Sequence, residues 1–120
     1  MSSDLTSIAR SFLAGSESLD DYLAFFAEDC VYKVANQPPV EGKPALSESA
    51  ARFRSMVKRV QHDILSLHAI GDRVICEITA HYTRNDGSVV SLPCLDIFTF
   101  SGSKIKRLQV FVDLSPVFAP

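Results

Sequence analysis

The sequence predicts an α+β fold: about three N-terminal helices packed on one face of a curved, mostly antiparallel mixed sheet. Three observations predict it. Apolar residues recur at helical spacing through Val57, and from Gln61 onward the period changes to two. The strand-like runs are separated by Gly71-Asp72, Asn85-Asp86-Gly87 and Ser101-Gly102-Ser103, which carry hairpin-turn chemistry. Helices followed by hairpin strands pack as a helical layer on one sheet face. The 120 residues fit one domain, 1–120, with a single core. A few helices cannot cover a long bent sheet, and the uncovered middle becomes a concave pocket.

Ser3 or Asp4 can cap the first helix, whose apolar face is Leu5, Ile8, Phe12 and Leu13, and Gly15 ends it. Ser18 opens an S-x-x-D pattern with Asp21, a relative of the capping box. The second helix follows, with Leu19, Tyr22, Leu23 and Phe26 on its buried side and Glu28-Asp29 as its solvated end. Cys30–Val34 is rich in strand-forming residues. Asn36 to Pro39 is a loop, because two prolines remove backbone donors. Pro44 suits the first turn of a third helix, which presents Leu46, Ala50, Phe53 and Val57 on one face. Arg52, Arg54, Lys58 and Arg59 read as the solvated face of that helix. Ile64–Ile70, Arg73–Arg84, Val89–Phe100 and Lys104–Leu114 then form an antiparallel meander, with Pro93 expected at an edge or bulge.

Composition excludes several function classes. Hydrophobic residues make up 47% and charged residues 22%, with net charge −2, so no basic surface tracks a nucleic acid. No apolar run reaches the roughly 18 residues that span a bilayer, and no membrane association is expected. The opening MSSDLTSIAR lacks a basic stretch followed by an apolar core, so no signal peptide is expected and a cytoplasmic location follows. Cys30, Cys76 and Cys94 are widely spaced in apolar runs and read as buried reduced thiols. Without a CxxC pair or a histidine cluster, no metal and no cofactor are expected.

Asp96 is the residue that demands an explanation. It sits in a strand among Leu95, Ile97, Phe98 and Phe100. A carboxyl there must reach water, find a partner, or stay protonated in an apolar pocket as a donor acid. Tyr32 can donate to the same ligand oxygen, and Tyr82 is a further polar group. His62, at a strand start near the third helix, can act as a base at a pocket mouth. His68 and His81 face outward by alternation, and so do Gln109, Phe111 and Asp113.

The segments FFAEDCVYKV, PPVEGKPAL, HAIGDRV, CLDIFTFSGSKI and the closing VDL resemble the NTF2-like superfamily. Within it the chain is similar to the ketosteroid isomerase, limonene epoxide hydrolase and SnoaL-like polyketide cyclase group. The resemblance implies a cone-shaped barrel with a deep apolar pocket, commonly a homodimer through the outer sheet face. It implies that Asp96 is the oxyanion-stabilising acid of the isomerase strand, a group ketosteroid isomerase keeps protonated. That family's tyrosine donor falls near Phe12, which has no hydroxyl, and its general base falls on Val34. The epoxide hydrolase pattern survives as Tyr32 and Pro38-Pro39-Val40-Glu41-Gly42, but its relay positions fall on Val34, Ile78, Ala80 and Val110. The resemblance therefore implies a pocket more apolar than in either relative. Val34, Ile78, Ala80 and Val110 point into it with Leu108 and Val112 beside them, and Phe12, Phe53, Val57, Tyr82, Cys94 and Phe98 complete the substrate-binding wall.

The leading expectation is an isomerase, cyclase or dehydratase for a hydrophobic carbonyl substrate such as a steroid, terpenoid or polyketide. Asp96, Tyr32 and His62 would be its catalytic residues. The alternative is a non-catalytic module that binds a small hydrophobic molecule or dimerises. An epoxide hydrolase with a rearranged relay has the least support, since opening an epoxide needs both an acid and a water-activating base.

Overall fold

The computed structural model describes the backbone of residues 2–119 and the side chains of residues 5–119. Helix α1 spans Ser2–Leu13 and α2 spans Leu19–Leu23. Strand β1 spans Phe26–Val34 and β2 spans Val40–Glu41. Helix α3, Lys43–Met56, precedes the meander β3 (Val57–Ile70), β4 (Arg73–Arg84), β5 (Val89–Ser101) and β6 (Lys104–Phe111). A short α4, Ser115–Phe118, follows. The expected Ser3 or Asp4 cap lies outside the described side chains.

Local chemistry accounts for most boundaries. Gly15 leaves α1 at φ 100°, a left-handed conformation that glycine adopts without strain. The Ser18 hydroxyl accepts the Asp21 amide at 3.0 Å and caps α2. Pro44 occupies the first turn of α3. In the β4–β5 turn, Gly87 has φ 91°, and Asp86 accepts the Ser88 amide at 2.9 Å and hydroxyl at 2.6 Å.

Three expectations need correction. Strand β1 begins at Phe26, so Phe26 is a strand core residue, and Glu28 and Asp29 are exposed strand residues rather than a helix end. Helix α3 stops at Met56, so Val57, Lys58 and Arg59 open β3 instead of extending the helix. Strand β6 stops at Phe111, and Asp113 accepts the Ser115 amide at 3.0 Å ahead of α4. The loop at residues 36–39 is as expected, and β2 follows it, pairing antiparallel with β1.

The sheet runs β2-β1-β6-β5-β4-β3 and is antiparallel except for the parallel β1–β6 pair. This is the expected α+β architecture, with helices packed on one face of a mostly antiparallel mixed sheet. Pro93 pairs across from Thr79 of β4, beyond the last β5–β6 pair at Leu95 and Phe111. Its missing amide therefore falls on a locally open edge. The inward phase of the sheet carries the core, including Phe26, Val74, Cys76, Ile78, Phe98, Ile105 and Leu108. All three cysteines are buried free thiols. On the outer face His81 bridges Ser91 (2.7 Å) and Asp63 (2.8 Å), and His68 is exposed.

Candidate active site

A cavity of about 550 Å³ opens between the three larger helices' inner faces and the concave side of the sheet. That volume suits a small organic ligand. Its buried end is formed by Asp96 and Cys94 of β5, Tyr82 of β4, Leu108 and Val110 of β6, and Tyr32 and Val34 of β1. Phe12, Tyr22, Phe53, Val57 and His62 line its sides.

Asp96 is 4% exposed and lies between Cys76 on β4 and Val110 on β6. The Cys94 thiol donates to one carboxyl oxygen at 3.3 Å. The other oxygen has no hydrogen-bond partner among the described residues. Burial raises the Asp96 pKa from 3.8 to about 6, and the Cys94 bond partly opposes the rise. The expected protonated acid is thus a group poised near neutrality: carboxylate predominates at pH 7 and acid at pH 5. Replacing the thiol, Cys94→Ala, removes the donor that favours the carboxylate. The Asp96 midpoint should rise above about 6 in an NMR carboxyl titration, and an unmoved midpoint would deny the thiol that role.

Three tyrosines surround this carboxyl. Burial pushes the hydroxyls of Tyr22, Tyr32 and Tyr82 upward in pKa, and each is raised further by the nearby Asp96 charge. They stay protonated and are available as donors. None of the three hydroxyls has a hydrogen-bond partner among the described residues. Cys94 is held protonated by the same two causes.

His62 reaches the cavity from β3, where it pairs across from Ala80. Its Nδ1 lies 3.0 Å from the Leu13 carbonyl, one of the acceptors that a helix C-terminus leaves unpaired. A carbonyl only accepts, so Nδ1 carries the proton and Nε2 keeps its lone pair. Burial lowers the His62 pKa, so the imidazole is neutral at pH 7 and competent as a base.

Four expected wall residues do not line this cavity. Ile78 and Ala80 point inward but are 1% and 0% exposed, because α1 lies across β3 and β4. Phe98 is 0% exposed, with the Phe12 ring edge-on at 5.6 Å. Val112 lies past the end of β6 and packs on the core.

Tyr22 and Arg54 are among the residues that line the cavity and escaped the sequence reading. Tyr22 read only as an apolar helix position, yet its ring sits 5.4 Å from Phe12 and 5.3 Å from Phe26, beside the cavity. It brings a hydroxyl close to the place where Phe12 has none. Arg54 read as a solvated helix face, but it folds back to Ser16 O (3.4 Å) and Glu17 O (3.5 Å) and covers the Tyr22 ring at 5.7 Å. The S-x-x-D cap and the helical spacing put Tyr22 on the buried side of its helix but gave no sign of the cavity, and Arg54 had no signal. Among the described residues no group of three or more His, Cys, Asp or Glu could hold a metal ion, and no helix is long and apolar enough to cross a membrane.

The model of the SnoaL-like domain matches residues 10–108. The chain belongs to the SnoaL-like domain family. No curated protein matches it. Among solved structures, this SnoaL-like domain is similar to a ketosteroid isomerase-like protein of Catenulispora acidiphila, solved with trimethylamine. That match has 22% identity and TM-score 0.83 over 93% of this chain and 89% of the other. It is similar to SalBIII, an epoxide hydrolase/cyclase-like enzyme of pyran ring formation in salinomycin, with 19% identity and TM-score 0.83 over 96% of each chain. An LEH-like epoxide hydrolase of M. tuberculosis matches with 19% identity and TM-score 0.81, over 97% of this chain and 87% of the other. At these identities the likeness shows the shared fold.

Proposed function

We propose that this SnoaL-like domain is an enzyme of the isomerase, cyclase or dehydratase type. Its substrate is a hydrophobic carbonyl or phenolic compound of the steroid, terpenoid or polyketide kind. One observation carries the reading. A carboxyl oxygen of Asp96 and the hydroxyls of Tyr22, Tyr32 and Tyr82, none with a hydrogen-bond partner among the described residues, line one largely apolar cavity. Among the described residues no fully buried side-chain nitrogen or oxygen lacks a partner, so these open groups face the cavity space, where a ligand oxygen can meet them.

An apolar ligand displaces water around Asp96 and raises its pKa further, which favours the acid form. Asp96, Tyr32 and Tyr22 then donate to the substrate oxygen. His62 Nε2 takes a proton from the carbon beside the carbonyl, and the electron pair moves onto that oxygen as an enolate. Return of the proton at another carbon completes an isomerisation; attack of the enolate carbon on a second carbonyl closes a ring, that carbonyl's π pair becoming an alkoxide that takes the proton back from His62.

Thermal shift against enones, phenols and epoxides tests the pocket. A ligand at roughly 100 times its dissociation constant adds about 2.7 kcal/mol of stability. The expected hit is an enone or phenol that stabilises the wild type and not Asp96→Asn. A panel that shifts neither protein would overturn the reading. The second reading, binding without turnover, is favoured by Val34 and Val110, apolar side chains lining the cavity where the resemblance leads to the expectation of a base and a relay. It is separated by tight binding without product.

The outer sheet face fits a homodimer. Leu65 is 61% and Phe111 is 47% exposed, and they flank a shallow hollow with Ile75, Pro93 and Leu95. Sedimentation velocity should show a wild-type dimer that Phe111→Asp converts to monomer. A monomeric wild type at micromolar concentration would exclude this assembly.

A further inference from the structure

The cavity's exposed end has a different chemistry from its buried end. Arg54, Lys58 and Arg59 all line it, with Glu17 as the one carboxylate beside them among the described residues. Successive strand residues normally point to opposite faces, so Lys58 and Arg59 should not both reach one opening. A bulge makes it possible. Val57 pairs with Arg84 and Arg59 with Thr83, leaving Lys58 as an extra residue that re-aims the chain.

Arg54 is held in place rather than free to wander. Two carbonyls of the α1–α2 loop accept from its guanidinium, and the Tyr22 ring lies beneath it. None of the three cations forms an ion pair among the described residues. The exposed end is therefore lined by three positive charges, one of them held in place, and one negative charge, above a cavity with an apolar middle.

From this placement we infer that the substrate is an amphipathic carboxylic acid. Its oxygen-bearing ring end meets Asp96, and its carboxylate lies at the rim among Arg54, Lys58 and Arg59. This rests on the proposed ligand reading of Asp96, and it narrows the substrate class from neutral steroids and terpenoids to hydrophobic acids. A planar guanidinium also suits a carboxylate better than a neutral ester or ketone.

Calorimetric titration with 6-hydroxy-2-naphthoic acid and with 2-naphthol tests it, because the two probes differ only in the carboxylate. The wild type should bind the acid about tenfold or more tightly than the naphthol at low salt, the sum of three modest charge contacts. The triple variant Arg54→Gln, Lys58→Gln, Arg59→Gln should bind both probes with the naphthol's affinity. Raising ionic strength from about 0.01 M to about 1 M shrinks the screening length from roughly 30 to 3 Å, and it should erase the advantage in the wild type without any substitution. Equal binding of the two probes at low salt would overturn the inference and leave the ligand reading standing. An acid advantage that survives both the variant and high salt would overturn it as well. Failure of the wild type to bind either probe would overturn the ligand reading, and the inference with it.

Discussion

Replacing Asp96 with asparagine is expected to lower turnover roughly a hundredfold or more and, at pH 8, to make the protein more stable. The two effects share one cause. The carboxyl is 4% exposed, and burial raises its pKa from 3.8 to about 6. The folded state therefore holds this proton more tightly than the unfolded state does. The group's contribution to stability is complete below about pH 4 and is lost as pH rises through about 6. A rise of this size corresponds to about 3 kcal/mol once the carboxylate is fully ionised.

Asparagine keeps the shape and an acceptor for the Cys94 thiol but never carries the charge. The variant should match wild type near pH 4 and melt several degrees higher at pH 8. Melting curves across that range check the stability half, and steady-state kinetics the other. A variant that melts well below wild type at pH 8 would mark Asp96 as a structural hydrogen bonder. Such a result would shift weight to the non-catalytic reading. A variant with full activity would exclude Asp96 from the mechanism.

Phe98→Ala should cost about 3–5 kcal/mol, a large share of the 5–15 kcal/mol that holds a typical domain together. The ring is 0% exposed, stacks on Phe100 at 6.1 Å and meets the edge of Phe12 at 5.6 Å. Its loss leaves a void between the sheet and α1 that neighbours cannot fill without moving. Phe98→Leu should keep most of the stability and leave ligand affinity unchanged, because the side chain does not reach the cavity. Urea unfolding midpoints measure the first effect, and calorimetric titration of any hit compound measures the second. Wild-type stability in the alanine variant, with altered ligand affinity, would return Phe98 to the pocket wall.

Much of this molecule was legible in the sequence because it depends on neighbours along the chain. The two-residue period after Gln61 exposes one sheet face and buries the other. Asn85-Asp86-Gly87 and Ser101-Gly102-Ser103 force hairpins, since such turns need residues that tolerate positive φ. The Ser18 cap is a local hydrogen bond, and Asp96 stood out because a lone carboxyl among aliphatic and aromatic neighbours is costly. The SnoaL-like resemblance rested on the same segments.

Other features depend on contacts between distant segments. Leu19, Tyr22, Leu23 and Phe26 share helical spacing, yet Phe26 belongs to β1, because parallel pairing with β6 takes the chain over there. That pairing has no turn of its own to announce it. Alternation correctly turned Ile78, Ala80 and Val110 inward, but inward means toward the helical layer and not toward the cavity. Helix α1 covers the first two and leaves Val110 open. Tyr22 and Arg54 reach the site only because α2 and α3 fold against each other. The sequence by itself determined the order of elements, the inward phase of the strands and the buried acid at Asp96, all set by local sterics and by the cost of burying a charge. Only the tertiary structure decided which inward residues line the cavity and which cations ring its mouth, because both follow from where the helices stop covering the sheet.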